Sequence, residues 1–87
     1  MQVVKDCKLR KKLGDLAQTA LDHHQPDKYR ITVDRNAILK NDDMYHIVVV
    51  TENDVRDRDF YHALADAEAE LEEKQKRNIL LVPAIGD

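Results

Sequence analysis

Tryptophan is absent, cysteine occurs once, glycine and proline occur twice each, and only four residues are Phe or Tyr. Each shortage removes a class of explanation. A lone thiol, Cys7, forms no internal disulfide and cannot supply a sulfur-rich zinc ligand set. No apolar run approaches the roughly 18–20 residues needed to cross a bilayer. The first residues are rich in Lys and Arg with no apolar run behind them, so no signal-peptide pattern is present. The expectation is a cytoplasmic chain with no membrane partner. No repeat or low-complexity segment is visible.

What is present is one small domain spanning residues 1–87. A chain of this size buries roughly 60–65% of the surface its unfolded form exposes, so its core is thin. With 43% apolar and 36% charged residues, a homodimer is expected, because a second copy can complete burial that one subunit cannot. The net charge of −3 is unevenly spread: residues 1–40 carry nine Lys/Arg against five Asp, and residues 41–87 carry five against twelve Asp/Glu. The two halves are electrostatically complementary, within one chain or between copies.

Hydrophobic spacing predicts a first helix from about Lys5 to His24, with Leu9, Leu13, Leu16, Ala17, Ala20, Leu21 and His24 on one face. Gly14 interrupts that face at a cost of about 0.5–1 kcal/mol relative to Ala. Gln25-Pro26-Asp27 ends the helix, since the residue before proline is pushed out of the α region. Residues Tyr29 to Val33 alternate apolar and polar as a half-covered strand does. Ala37 to Lys40 reads as a further short strand or as coil, followed by an Asn41-Asp42-Asp43 turn into a strand at Met44–Thr51.

A second helix is expected from Asp57 or Arg58 to about Arg77, with Phe60, Ala63, Leu64, Ala67 and Leu71 as its apolar stripe. Burial of Phe60, Leu64 and Leu71 contributes about 1.5–3 kcal/mol each as a gross transfer term. Four consecutive apolar residues at Ile47–Val50, and again at Ile79–Val82, make both faces of each strand apolar, so each strand is expected to be central or covered on both sides. A helix between two such strands makes them parallel if they are neighbours, with a right-handed crossover. Pro83 ends the last strand. The fold class expected is α+β (α/β-like), two-layered, in the order α-β-(β)-β-α-β, with two helices on a mixed sheet of three or four strands.

Four groups of residues are candidates for function. The acidic loop after the central strand holds Glu52, Asp54 and Asp57, carboxylates suited to Mg²⁺. It lacks the glycines of a phosphate cradle, and helix capping is its plainer reading. Lys5, Lys8, Arg10, Lys11 and Lys12 make a basic helix face of the kind that contacts phosphates. No aromatic residues are interleaved with it, and the acidic balance of the whole chain opposes a dedicated nucleic-acid binder. His23, His24, His46 and His62 show no recognised zinc spacing, and the available nucleophiles, Cys7 and Thr51, are not brought near a histidine by anything in the pattern. Tyr29, Tyr45 and Tyr61 are interface candidates, because tyrosine offers a broad apolar body with a polar tip. No cofactor is implied.

The stretch Ile38-Leu39-Lys40-Asn41-Asp42-Asp43-Met44-Tyr45-His46-Ile47-Val48-Val49, with Phe60-Tyr61-His62-Ala63-Leu64-Ala65 and Asn78-Ile79-Leu80-Leu81-Val82-Pro83-Ala84, resembles a family of small uncharacterised bacterial proteins. That family carries an acidic hairpin before an aromatic residue, then an acidic helix and a final L-L-V-P-A strand; here Met44 stands between the acidic pair and Tyr45. The resemblance covers the second half of the chain and implies a small bacterial domain with no catalytic residues to carry over. The functional expectation is a non-enzymatic protein-interaction or regulatory accessory module, using a sheet edge or an open sheet face. The alternatives are a nucleic-acid-binding regulator working through the basic helix face, and a Mg²⁺-dependent phosphoryl-transfer or hydrolytic enzyme working through the acidic loop.

Overall fold

The computed structural model describes residues 2–75 and 78–84, apart from the side chain of Asp54. The elements run β1 (Gln2–Val3), α1 (Cys7–Asp22), β2 (Ile31–Asn41), β3 (Met44–Thr51), a 3-10 turn at Glu52–Asp54, α2 (Arg58–Gln75) and β4 (Asn78–Pro83). Both helices and a four-stranded mixed sheet give the expected α+β class. The spatial order is β1-β2-β3-β4, with β1/β2 and β2/β3 antiparallel and β3/β4 parallel.

The parallel pairing of β3 with β4 through α2 follows the double apolar run in the sequence. Ile47 pairs with Leu81 and Val48 with Val82. Three details differ from the sequence reading. A two-residue strand, β1, precedes α1 and pairs with Leu39 and Lys40. It is too short to show any periodicity. The strand expected at 29–33 and the stretch 37–40, which reads as a short strand or as coil, form one strand that begins at Ile31, while Tyr29 lies in the bend before it. And β4 is an edge strand rather than a central one. The expected end of α2 at Arg77 lies outside the described residues.

The merging of the two stretches has a geometric cause. Val33 pairs with Val49, and the next paired residue, Ile38, meets Ile47, so residues 34–37 stand opposite Val48 alone. In a strand of strict period two, Ile31 and Val33 would face the opposite side from Ile38. The bulge restores the phase, and both Ile31 and Ile38 are fully buried. Asp34 supports the irregular turn by accepting from the Asn36 N–H at 3.0 Å. At the tight β2–β3 connection Asp42 takes φ 54°, a left-handed conformation that Asp tolerates better than most residues.

Asp6 caps α1, its carboxylate accepting from the N–H groups of Lys8 and Leu9. Asp57 caps α2 in the same way, accepting from the Phe60 N–H at 3.0 Å. The largest fully buried side chains are Leu13 and Leu21 of α1, Ile31, Ile38, Ile47 and Val49 of the sheet, and Phe60 of α2. The core therefore lies between the helices and one face of the sheet. Gly14 is buried at a close approach: a Cβ there would stand 2.5 Å from Nη1 of Arg35, whose guanidinium passes over the helix to Asp15 at 2.8 Å.

Candidate functional site

Side-chain direction alternates along each strand, so the fully buried Ile47 and Val49 fix their neighbours His46, Val48 and Val50 on the other face. Register extends this face across the sheet. Val3, Leu39, His46 and Leu80 form one row through all four strands, Val48 and Val82 a second, and Thr32 and Val50 a third. On the helix side Ile31, Ile38, Ile47, Val49, Ile79 and Leu81 are buried, whereas Leu39, Val48, Val50, Leu80 and Val82 on the other face are all half-buried. Val3 and Met44, at the margins, are exposed at 48% and 40%. No described element covers this face.

The edges of the same sheet are occupied differently. Beyond the short β1, the outer edge of β2 is met by two glutamine side chains. Gln25 donates to the Ile31 carbonyl and accepts from the Ile31 N–H, both at 2.7 Å. Gln18 of α1 donates to the same carbonyl at 3.2 Å and accepts from the Val33 N–H at 2.9 Å. These amides imitate the hydrogen bonding of a neighbouring strand. At the opposite edge Glu68 of α2 accepts from the Leu81 N–H at 3.0 Å, and Pro83, two residues on, has no N–H to offer. Burial pushes the Glu68 carboxyl above its ordinary pKa, against the lowering effect of the Leu81 N–H. Both edges are thus blunted against strand addition.

The acidic loop is taken up largely with structure. Asp57 caps α2 and also accepts from the Tyr29 hydroxyl. That hydroxyl, followed by the Phe60 N–H, holds the Asp57 carboxyl below the usual range. Burial, then the Asp57 contact, pushes the Tyr29 phenol up to about 12. Glu52 is exposed. Among the described residues no trio of His, Cys, Asp and Glu is placed to hold a metal ion.

The basic cluster lies on and before the first half of α1, with Lys5, Lys8, Lys11 and Lys12 exposed and Arg10 half-buried, its Nη2 3.7 Å from Cys7 Sγ. Cys7 begins α1 just after β1, which pairs with the end of β2, while Thr51 ends β3 and donates to the Val55 carbonyl at 3.2 Å. The two nucleophiles are not brought together. The tyrosines have three different fates. Tyr45 points to the core side under Lys40, whose Nζ is 5.8 Å from the ring centroid. Tyr29 packs against the core, and Tyr61 stays 49% exposed with an edge-on contact to Phe60.

The histidines assemble more than their spacing suggested. His23 Nδ1 lies 2.9 Å from Glu70 Oε2, and His24 Nε2 lies 3.3 Å from Glu70 Oε1. This ties the end of α1 to α2. The His23 hydrogen bond leads in holding the Glu70 carboxyl below its ordinary pKa, with burial opposing it. His24 and His62 also line a cleft of about 320 Å³ with Asp27, Asp59 and Asp66. A second cleft, of about 580 Å³, opens beside β1 between Val4, Leu9 and Tyr45, with Lys5, Asp6 and Lys40 at its margin.

Sequence reasoning missed the edge-capping roles of Gln18, Gln25 and Glu68. The bare face itself was legible in outline, since two doubly apolar strands with only two helices leave one side short of cover. No described helix is long and apolar enough to cross a membrane. Compared with protein-family models, with curated proteins and with solved structures, the chain matches none.

Proposed function

We propose that this chain is a non-enzymatic interaction module whose docking surface is the bare face of its sheet rather than an edge strand. The observation that carries this reading is the contrast within one sheet: Gln18, Gln25 and Glu68 occupy edge groups, while Leu39, Val48, Leu80 and Val82 form an apolar surface that no described element covers. Large contiguous apolar patches on soluble proteins mark interaction sites.

The test is a photo-cross-linking residue placed in turn at Val48, at Leu80 and, as a control on the outer surface of α2, at Glu73. In the cell of origin, Val48 and Leu80 are expected to give a discrete protein adduct and Glu73 none. Adducts from Glu73 alone, or none from either face position, would overturn the reading.

A second reading rests on α1, where Lys8, Lys11 and Lys12 are exposed and make no ion pair among the described residues. Nucleic-acid binding by this surface would weaken with salt and on joint replacement of the three lysines by alanine. Unshifted DNA and RNA mobility at low salt would remove it.

A further inference from the structure

We propose that the cleft beside β1 binds a small amphipathic carboxylate, a single anionic head on an aliphatic or aromatic body. This goes beyond the interaction reading, because the cleft is a different place on the molecule. Lys40 pairs with Tyr45 across the β2–β3 ladder, so both stand on the helix side of the sheet with Ile38 and Ile47. Val3 alone belongs both to the lining of the cleft and to the rows of the bare face.

The floor of the cleft is apolar and built from three elements. Val4 follows β1, and its N–H donates to the Ile38 carbonyl at 2.9 Å, which seats its buried side chain in the core. Leu9 stands in the first turn of α1, the turn that Asp6 caps. Tyr45 is set by the register of β3 against β2. Leu9 and Tyr45 are half-buried and packed against the core. Each residue is held by backbone bonding of its own element, so the floor is formed before any ligand arrives. The space above it, about 580 Å³, lies within the roughly 300–1,000 Å³ of small-molecule sites.

Charge selects the head group. Lys5 and Lys40 are exposed at the margin, and neither joins an ion pair among the described residues. Lys40 Nζ lies 5.8 Å from the Tyr45 centroid, which keeps one ammonium over the apolar floor. Asp6 is the one carboxylate among the described lining residues. One of its oxygens already accepts from the N–H groups of Lys8 and Leu9, at 3.0 and 3.2 Å. Asp42 and Asp43 follow Lys40 in the exposed turn and do not line the cleft. Two ammonium groups against one carboxylate leave a single positive charge, which a monoanion neutralises. A dianionic phosphate would face Asp6 and would find those two helix N–H groups taken. An uncharged apolar ligand would fill the floor and leave both ammonium groups unanswered.

The experiment is a titration of the isotope-labelled full chain with octanoate at pH 7.5, followed through its backbone amide shifts. Octanoate is expected to bind saturably, tighter than about 1 mM, and to move the amides of Val4, Lys5, Leu9, Lys40 and Tyr45 most. Butyrate, with a shorter body, is expected to bind at least about tenfold more weakly. Octanamide, which has no charge, is expected to bind at least about threefold more weakly. Octyl phosphate, mostly dianionic at this pH, is expected to bind no tighter than octanoate. Lys5→Gln and Lys40→Gln, both at exposed positions, are each expected to weaken octanoate about threefold and together about tenfold, with unchanged circular dichroism.

No saturable octanoate binding up to about 10 mM, ten times the expected limit, would overturn the inference. So would largest shifts at Val48, Leu80 and Val82, which would put the ligand on the bare face instead. Octanamide binding as tightly as octanoate, octyl phosphate binding more tightly, or full octanoate affinity in the double lysine variant would each overturn the choice of a monoanion. Butyrate binding as tightly as octanoate would overturn the role of the apolar floor. None of these outcomes bears on cross-linking at Val48 and Leu80, so the cleft and the interaction module stand or fall separately.

Discussion

Ile47 and Val48 are adjacent, similarly apolar and on the same strand, yet Ile47 is fully buried and Val48 is not. One turns toward Leu13, Leu21 and Phe60; the other turns toward no described part of the chain. The same split runs along β4, where Leu81 is buried and Leu80 half-buried. Both faces of the sheet are built from β-branched and leucine side chains, so hydrophobicity does not distinguish them. Cover does. Two helices, joined through short connections, reach one face only, and the apolar residues on the other are left with a stabilising burial they have not yet gained within one chain.

The sharpest way to break this comparison is to truncate one side chain on each face. Ile47→Ala is expected to cost about 2–5 kcal/mol in urea unfolding, because it removes contacts and leaves a cavity in packed surroundings. Val48→Ala is expected to cost under about 1 kcal/mol at concentrations where the chain is monomeric. Equal losses would mean that the second face is covered after all.

Next in size is the edge of β2. Gln25→Ala leaves the N–H of the buried Ile31 without its partner, and an unsatisfied buried donor costs about 1–3 kcal/mol. It also reopens an edge, so time-dependent aggregation monitored by light scattering is expected to accompany the lower midpoint. A stable, non-aggregating Gln25→Ala protein would show that the amide is not needed to guard the edge.

A smaller effect concerns the helix side. The Glu70 carboxyl is held below its ordinary value in the folded chain. Its contribution is therefore complete above the unfolded carboxylate value and is lost as pH falls through the folded one. Between about pH 5 and 3 the wild type is expected to lose stability more steeply than Glu70→Gln, measured as the urea midpoint at each pH. Parallel pH profiles would show that the His23–Glu70–His24 contact does not tie the helices.

The smallest expected effect is at Gly14. Alanine there gains about 0.5–1 kcal/mol of helix propensity but displaces Arg35 from Asp15, an exposed pair whose loss costs about 0–1 kcal/mol. The net change in melting temperature should be within a few degrees. In an Arg35→Ala background the same substitution is expected to be plainly stabilising, since the obstructing guanidinium is gone.

The parts of the fold that were legible share one property: their signal is local and periodic. The stripe Leu13, Ala17, Ala20 and Leu21 marks α1, the stripe Phe60, Leu64, Ala67 and Leu71 marks α2, and the runs at 47–50 and 79–82 mark the parallel pair. Where the pattern changed phase between Val33 and Ile38, the sequence suggested two elements, because a bulge of residues 34–37 resembles a break when the partner strand is not in view. β1 escaped notice because two residues carry no period. The candidate site was legible only as a shortage of cover, since nothing in the spacing says which of two apolar faces the helices will choose.

From its order of residues alone, this chain determined two amphipathic helices, a hairpin turn at Asp42-Asp43 and two strands apolar on both sides, because each depends on neighbours a few positions away. Tertiary structure decided which side of the sheet the helices cover, that Gln18, Gln25 and Glu68 blunt the edges, and that Val3, Leu39, His46 and Leu80 align in one row. Those outcomes depend on register between residues distant in sequence, and register exists only once the sheet has formed.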